Sequence, residues 1–215
     1  MKVYISRPDF TDRERAALRA FAEPGVTQFA QGPEVASFER EFSRFIGQSH
    51  GIAVNSGSSA NLLLFDALIQ MGRLKKGDEV VVPATTFATV VAPLYQLGLV
   101  PVYVDVEEES LNIDPERIVQ AISEKSKALF VVHTLGYPAA MNQIGEIARL
   151  HNLLLVEDCC EAHGATVEDA KVGSFSFAST FSFFVAHNMT TGEGGMALTS
   201  NEELAEMIRS LREFG

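Results

Sequence analysis

The sequence contains no tryptophan and only two cysteines among its 215 residues. The cysteines, Cys159 and Cys160, are adjacent, so they cannot link distant segments and they match no spaced metal-ligand pattern. We therefore expect no metal site and a reducing, cytoplasmic compartment. Basic residues are also scarce, with 17 Lys and Arg against 28 Asp and Glu, and a net charge of -11 repels a polyanion. This balance argues against nucleic acid as a partner.

Charged side chains are absent from residues 80–104, a stretch long enough to span a bilayer. Pro83, Pro93 and Pro101 interrupt it, each where one element is expected to stop. The stretch therefore predicts a strand, a helix and a second strand in a buried sheet, and no membrane partner. The first ten residues, MKVYISRPDF, contain no apolar core of signal-peptide length, so secretion is not expected.

Apolar runs of strand length alternate with amphipathic stretches, which is typical of βαβ units. We predict an α/β fold with a mostly parallel sheet sandwiched by helices. The predicted strands span residues 52–55, 79–82, 100–104, 128–132, 153–157, 175–184 and 195–199. The predicted helices span residues 34–45, 59–71, 86–97, 115–123, 143–151 and 202–213. In the first of these helices, the residues expected in the core share helical spacing: Val35, Phe38, Phe42 and Phe45.

A hydroxyl-rich turn, Asn55-Ser56-Gly57-Ser58-Ser59-Ala60, follows the first predicted strand and leads into a helix. Free backbone N–H groups at a helix start can bind an anion. The same residues equally suit a plain N-cap, and both interpretations remain open. The turn matches neither GxGxxG nor GxxxxGK[ST], so a dinucleotide or a nucleoside triphosphate has no support here.

Two carboxylates, Glu157 and Asp158, follow an apolar run at the edge where open α/β sheets bind ligands. A carboxylate buried under a ligand needs a proton or a cation as compensation. A protonated heterocyclic nitrogen meets that need, and pyridoxal phosphate carries both such a nitrogen and a phosphate. Phe87, just beyond the second strand, suits either a cover for the ring or an ordinary core aromatic.

Five separated motifs resemble, in order and spacing, the DegT/DnrJ/EryC1/StrS family of sugar aminotransferases and their dehydratase relatives. They are VNSGSSANLLLFDAL, GDEVVVPATTFATV, PVYVDVEEESLNIDP, VEDCCEAHGA and FSFFVAHNMTTGEGGMALTS. The resemblance runs from about Gln31 to Gly215 and implies the fold type I architecture of aspartate aminotransferase. It divides the chain into an N-terminal segment, 1–30, and a large domain that binds pyridoxal phosphate (PLP), 31–215. Family members typically continue into a smaller C-terminal domain, which we expect to be absent here.

The resemblance also implies which residues hold PLP or its amino form, pyridoxamine phosphate (PMP). Phe87 would stack on the ring, and Asp158 would pair with the ring nitrogen. The phosphate would be bound by the backbone of Gly57, Ser58 and Ser59 and by the hydroxyl of Ser182. Glu161, where the family usually has Gln, would lie near the phenolic oxygen, and Ala162 would lie against the other ring face. A carboxylate beside a phenolate is unfavourable unless one of them is protonated.

His187 stands where aminotransferases of the family carry the lysine that binds the cofactor covalently, and no lysine follows Lys171. Imidazole cannot form that lasting bond, but it can move a proton near neutral pH. Members with histidine at this point resemble the 4-keto-6-deoxy sugar nucleotide 3-dehydratases, which hold PMP noncovalently. The resemblance thus implies C3 dehydration of a nucleotide-linked 4-keto-6-deoxy sugar, with His187 as the catalytic base.

Two alternatives remain open at this stage. Besides a dehydratase, the chain could belong to a PLP-dependent sugar aminotransferase in which His187 is a substitution. It could also be a noncatalytic fragment or a ligand-binding domain with a structural histidine. Family members work as homodimers whose active sites borrow residues from the partner subunit. A homodimer is therefore the expected state.

Overall fold

The computed structural model describes residues 10–214, apart from residues 24, 27 and 29. Most of the opening MKVYISRPDF, and part of the predicted segment 1–30, therefore lie outside the described residues. Within that segment is a helix, α1 (Asp12–Phe21), which the sequence pattern does not predict. It begins with a capping box formed by Thr11 and Glu14, and none of its residues is buried.

Seven strands form one central sheet. In chain order the strands of the described residues are β1 (His50–Val54), β2 (Glu79–Pro83), β3 (Val100–Val104), β4 (Ser126–Val132), β5 (Leu154–Asp158), β6 (Thr166–Val167), β7 (Ala170–Lys171), β8 (Ala178–Ser182) and β9 (Gly195–Thr199). The sheet order is β1-β9-β8-β5-β4-β2-β3, and β6 pairs with β7 outside it. Six strands of this sheet run in the same direction, and β9 runs opposite to them, between β1 and β8. The prediction of a mostly parallel sheet is confirmed.

Helices cover both faces of the sheet. They are α2 (Pro33–Ile46), α3 (Gly57–Gln70), α4 (Ala88–Gln96), α5 (Pro115–Ala121), α6 (Met141–Leu150) and α7 (Glu202–Glu213). Neighbouring β2 residues face opposite sides, as the period of a strand requires: Val80 packs in the same core as α3, α4 and α7, and Val81 packs with α5 and α6. A third core joins α2 to Phe181 and Phe183.

The charge-free stretch forms β2, α4 and β3, as predicted, but Pro93 lies inside α4 and does not mark the end of an element. Among the described residues, no helix combines the length and the apolar character needed to cross a membrane. The predicted strand 175–184 is too long, because Phe175 donates its backbone N–H to a side chain and β8 begins only at Ala178. Phe45 is not a core residue: it is 47% exposed, and its ring centre lies 4.7 Å from Lys171 Nζ.

Candidate active site

A cavity of about 670 Å³ opens where β4, β5 and β8 end beside the first turn of α3. This is the sheet edge at which open α/β folds bind ligands. Val132, Asp158 and Ser182 line it from the three strands. Its other lining residues come from the start of α3, from α4 and the segment before it, and from four loops, which follow β3, β4, β5 and β8: Ser56, Gly57, Ser58, Thr85, Thr86, Phe87, Thr89, Val90, Leu111, Thr134, Leu135, Cys160, Glu161, Phe184, Ala186, His187 and Glu193.

The first turn of α3 supplies free hydrogen-bond donors to the cavity. Ser56 is the N-cap, and its Oγ accepts the N–H of Ser59 at 3.1 Å. The N–H groups of Gly57 and Ser58 have no helical acceptor, because they lie in the first turn, and both residues line the cavity. Ser59 differs from its predicted role: its N–H is occupied by the cap, and the residue lines a neighbouring cleft.

Gly57 lies at a close approach between α3 and the strand ends. A Cβ atom on Gly57 would lie 2.7 Å from Cys160 Sγ and 2.7 Å from Ser182 Cβ. A similar approach occurs at Gly195, where a Cβ would lie 2.2 Å from the backbone of Ser56. Glycine at both positions therefore lets three segments of backbone converge beneath the free N–H groups.

Asp158 ends β5 and is only 5% exposed, yet it lines the cavity. Its Oδ1 accepts the backbone N–H of Cys160 at 3.0 Å, and its Oδ2 accepts Asn61 Nδ2 at 2.9 Å. Both partners can only donate, so both oxygens act as acceptors, as in an ionised carboxylate. Asn61 is not among the residues that the sequence predicts for the site. A lone polar residue within the apolar run of α3 was the signal for it.

After Asp158 the chain turns, which separates Cys160 from Ala162. Cys160 lines the cavity, whereas Ala162 is 1% exposed and packs in the third core with Phe42. Ala162 therefore does not lie on the cavity wall as predicted, and Cys160 takes that position. Burial and the charge of Asp158 raise the pKa of the Cys160 thiol well above its usual range. Cys160 thus presents a neutral, weakly polar surface at neutral pH.

Glu161 connects two loops at the rim of the cavity. Its Oε2 accepts the backbone N–H of Leu135 at 2.7 Å, within a turn where Leu135 has a left-handed φ of 53°. Its backbone carbonyl accepts Asn188 Nδ2 at 3.4 Å. One carboxylate oxygen of Glu161 is thus held by the loop, and the residue still lines the cavity.

His187 lines the cavity from the loop after β8, and its backbone N–H bonds to the Phe184 carbonyl at 3.0 Å. Its ring centre lies 6.3 Å from that of His163, whose ring packs against Phe181 and Phe183. The ring nitrogens of His163 are buried and have no hydrogen-bond partner among the residues that the structure describes. Burial, and then the charge on His187, lower the pKa of His163 to about 4, so His163 is neutral at neutral pH.

Glu157, the other predicted carboxylate, lies away from the cavity and is fully buried. It accepts hydrogen bonds from His133 Nε2, the N–H groups of Gly173 and Phe175, and Ser176 Oγ. Glu157, His133 and Cys159 form a cluster of three potential metal ligands, whose ligand atoms all lie within 4.8 Å of one another. These four hydrogen bonds satisfy the carboxylate oxygens of Glu157 and account for its complete burial.

The model of the DegT/DnrJ/EryC1/StrS aminotransferase family matches residues 8–215. The chain belongs to this family. It is 46% identical over 192 residues to a dTDP-4-dehydro-2,6-dideoxy-D-glucose 3-dehydratase of Saccharopolyspora spinosa. The aligned region covers 87% of this chain and 42% of that relative. It is 40% identical over 184 residues to a GDP-perosamine synthase of Caulobacter vibrioides, at 86% and 48% coverage.

Solved structures of family members have the same fold. The E. coli GDP-4-keto-6-deoxy-D-mannose-3-dehydratase with bound hydrated PLP superposes with a TM-score of 0.93 at 35% identity, over 98% of this chain and 54% of that chain. The chain thus spans about half the length of the relatives it matches.

The cavity fits the cofactor named in that family structure. Free N–H groups and the Ser182 hydroxyl suit a phosphate, and a buried carboxylate suits a protonated ring nitrogen. Phe87, 73% exposed, places an aromatic ring at the lining. Within the described part of the chain, no lysine or arginine lines the cavity, so any phosphate there would be held by N–H groups and hydroxyls.

Proposed function

We propose that the chain carries the PLP-type large domain, residues 31–215, of an enzyme that removes the C3 hydroxyl of a nucleotide-linked 4-keto-6-deoxy sugar. The observation that carries this proposal is His187 on the cavity wall, where none of the described lining residues is a lysine. A cofactor in this cavity would therefore be held noncovalently, as PMP. The names of the dehydratase relatives support the same substrate class.

Five of the residues that line the cavity would hold the cofactor. Gly57 and Ser58 would bind the phosphate through N–H groups, and the Ser182 hydroxyl would add a further donor. Asp158 would keep the ring nitrogen protonated, and Phe87 would cover the ring. When bound, PMP supplies an amino group for the sugar ketone and a ring that withdraws electrons.

His187 would move the proton in the reaction. A ring nitrogen of imidazole can accept a proton near neutral pH and return it to a departing hydroxyl. The neighbouring His163 stays neutral above a pH of about 4, so it does not repel a proton on His187.

The charge of the cavity supports a homodimer. Asp158, Glu161 and Glu193 line it, and its described lining offers no lysine or arginine to a nucleotide diphosphate. Leu135, which is 77% exposed, adds an apolar group to the rim. We expect a second subunit to cover this rim and to supply cations, which light scattering would detect as a twofold mass.

Both cysteines carry free thiols, in keeping with a cytoplasmic location.

The test is incubation with PMP and GDP- or dTDP-linked 4-keto-6-deoxy sugars, followed by mass spectrometry of the sugar. We expect the sugar to lose its C3 oxygen with the wild-type chain and to retain it with His187→Phe. The similarity to GDP-perosamine synthase favours one rival, amino transfer to the sugar. Transfer of nitrogen from glutamate with the C3 oxygen retained would decide for that rival. A longer chain that includes the C-terminal portion should be assayed in parallel, because the relatives are about twice as long.

A further inference from the structure

Asn61 lies in the second turn of α3, and its amide side chain is buried, with the residue only 1% exposed. Its Nδ2 donates to Asp158 Oδ2 at 2.9 Å and to the Thr89 carbonyl at 3.2 Å. Its Oδ1 accepts Thr180 Oγ1 at 2.6 Å. Both amide hydrogens and the amide oxygen are therefore engaged, which accounts for a fully buried polar side chain in an apolar helix.

The partners fix the orientation of the Asn61 amide. The Thr89 carbonyl can only accept a hydrogen bond, and Asp158 Oδ2 accepts in its ionised form. The reversed amide would place its oxygen against both of these acceptors. The Thr180 hydroxyl then donates to Asn61 Oδ1, so donation runs in one direction, from Thr180 to Asn61 and from Asn61 to Asp158.

The helix α4 contributes to this arrangement through Pro93. Proline has no N–H, so Pro93 leaves the carbonyl of Thr89, four residues earlier, without its helical partner. Asn61 Nδ2 supplies the missing donor. Asn61 is thereby anchored to α4 by Thr89 and to β8 by Thr180, two elements that pack on either side of it.

We infer that Asn61 is a positioning residue that fixes the Asp158 carboxylate for a protonated heterocyclic nitrogen. The inference rests on the proposed function, because it concerns the same cavity. Asn61 holds one carboxylate oxygen and the Cys160 N–H holds the other, so the carboxylate cannot rotate without losing a buried hydrogen bond. The lone pairs that remain on Asp158 are the ones available to a ligand.

Affinity for two ligands tests this role in the purified chain. The ligands are PMP and its 1-deaza analogue, in which C–H replaces the ring nitrogen. Asn61→Leu keeps the approximate side-chain volume but removes every hydrogen bond. We expect it to weaken PMP binding at least tenfold and to leave the dissociation constant of the analogue unchanged. Thr180→Val removes only the donor to Asn61 and should weaken PMP in the same direction but less.

Equal weakening of both ligands would assign Asn61 a merely structural role and overturn the inference, as would unchanged affinity for PMP. A wild-type chain that binds neither ligand would contradict the proposed function instead. The positioning can then be read without any ligand, from the NMR resonance of the Cys160 amide, which donates to Asp158 Oδ1. Asn61→Leu should shift that resonance, and an unshifted resonance would overturn the inference.

Discussion

The rings of His163 and His187 lie 6.3 Å apart, centre to centre, with the His163 ring buried among Phe42, Phe181 and Phe183. One histidine faces the cavity and the other is enclosed in the aromatic core behind it. The neutral form of His163 is imposed by this enclosure, because burial is the largest cause of its lowered pKa. The pair therefore combines a histidine that lines the cavity with one that is uncharged near neutral pH.

The first prediction concerns the pH dependence of stability. The pKa of His163 is about 4 in the folded chain and 6.5 for a free histidine, so the unfolded state binds the extra proton between these values. The contribution of His163 to the free energy of unfolding is thus complete above pH 6.5. It is lost as the pH falls toward 4, by at most roughly 3 kcal/mol. In His163→Phe this loss should disappear. Urea unfolding of both proteins from pH 7 to pH 4.5 measures the difference.

The exposed His151 provides the control for this experiment. His151→Gln should leave the pH dependence of unfolding as in the wild type. Parallel pH curves for the wild type and His163→Phe would show that His163 is not held neutral.

The second prediction concerns Gly57. A methyl group there would lie 2.7 Å from Cys160 Sγ and from Ser182 Cβ, so Gly57→Ala must push α3 away from the strand ends. We expect the affinity for PMP to fall at least tenfold, about 1.4 kcal/mol. Gly145→Ala is the matched control, because among the described residues no atom outside the adjoining backbone of α6 lies within 4 Å of its added methyl group. That control should retain affinity and gain up to about 1 kcal/mol of stability. Equal affinity in Gly57→Ala would contradict the phosphate site.

The third prediction concerns the buried carboxylate of Glu157. Glu157→Gln would turn an amide N–H₂ group toward the donors of Gly173, Phe175 or His133, leaving buried groups unpaired. We expect a loss of about 3–5 kcal/mol in the free energy of unfolding. Glu146→Gln removes a carboxylate from an exposed pair with Arg149 and should have no measurable effect. Wild-type stability in Glu157→Gln would show that the network is not needed for the fold.

The alternation of apolar runs and amphipathic stretches was sufficient to predict the parallel sheet, because each strand must be buried on both faces. It was not sufficient for α1, which buries none of its residues and so leaves no core-facing pattern. Strand ends were also imprecise at 175–184, since the chain there satisfies its N–H groups with the Glu157 side chain instead of a neighbouring strand.

The site residues divide in the same way. Gly57, Ser58, Phe87, Asp158, Glu161, Ser182 and His187 all line one cavity, and the motifs that carry the resemblance to the family were what brought them together as a predicted site. Ser59 and Ala162 were misplaced, because a cap and a turn redirect them and neither can be seen in residue types alone. Asn61 depends on Pro93 and Thr180, which are distant in sequence, so only the three-dimensional contacts identify it.

The central claim is that the cavity holds its cofactor without a covalent bond, since His187 lines it and none of its described lining residues is a lysine. Reduction with borohydride after incubation with less than one equivalent of PLP, followed by mass spectrometry of the intact chain, tests this directly. We predict an unmodified wild-type chain and, as positive control, one reduced pyridoxyl phosphate on His187→Lys. A stoichiometric adduct on any lysine of the wild-type chain would contradict the account.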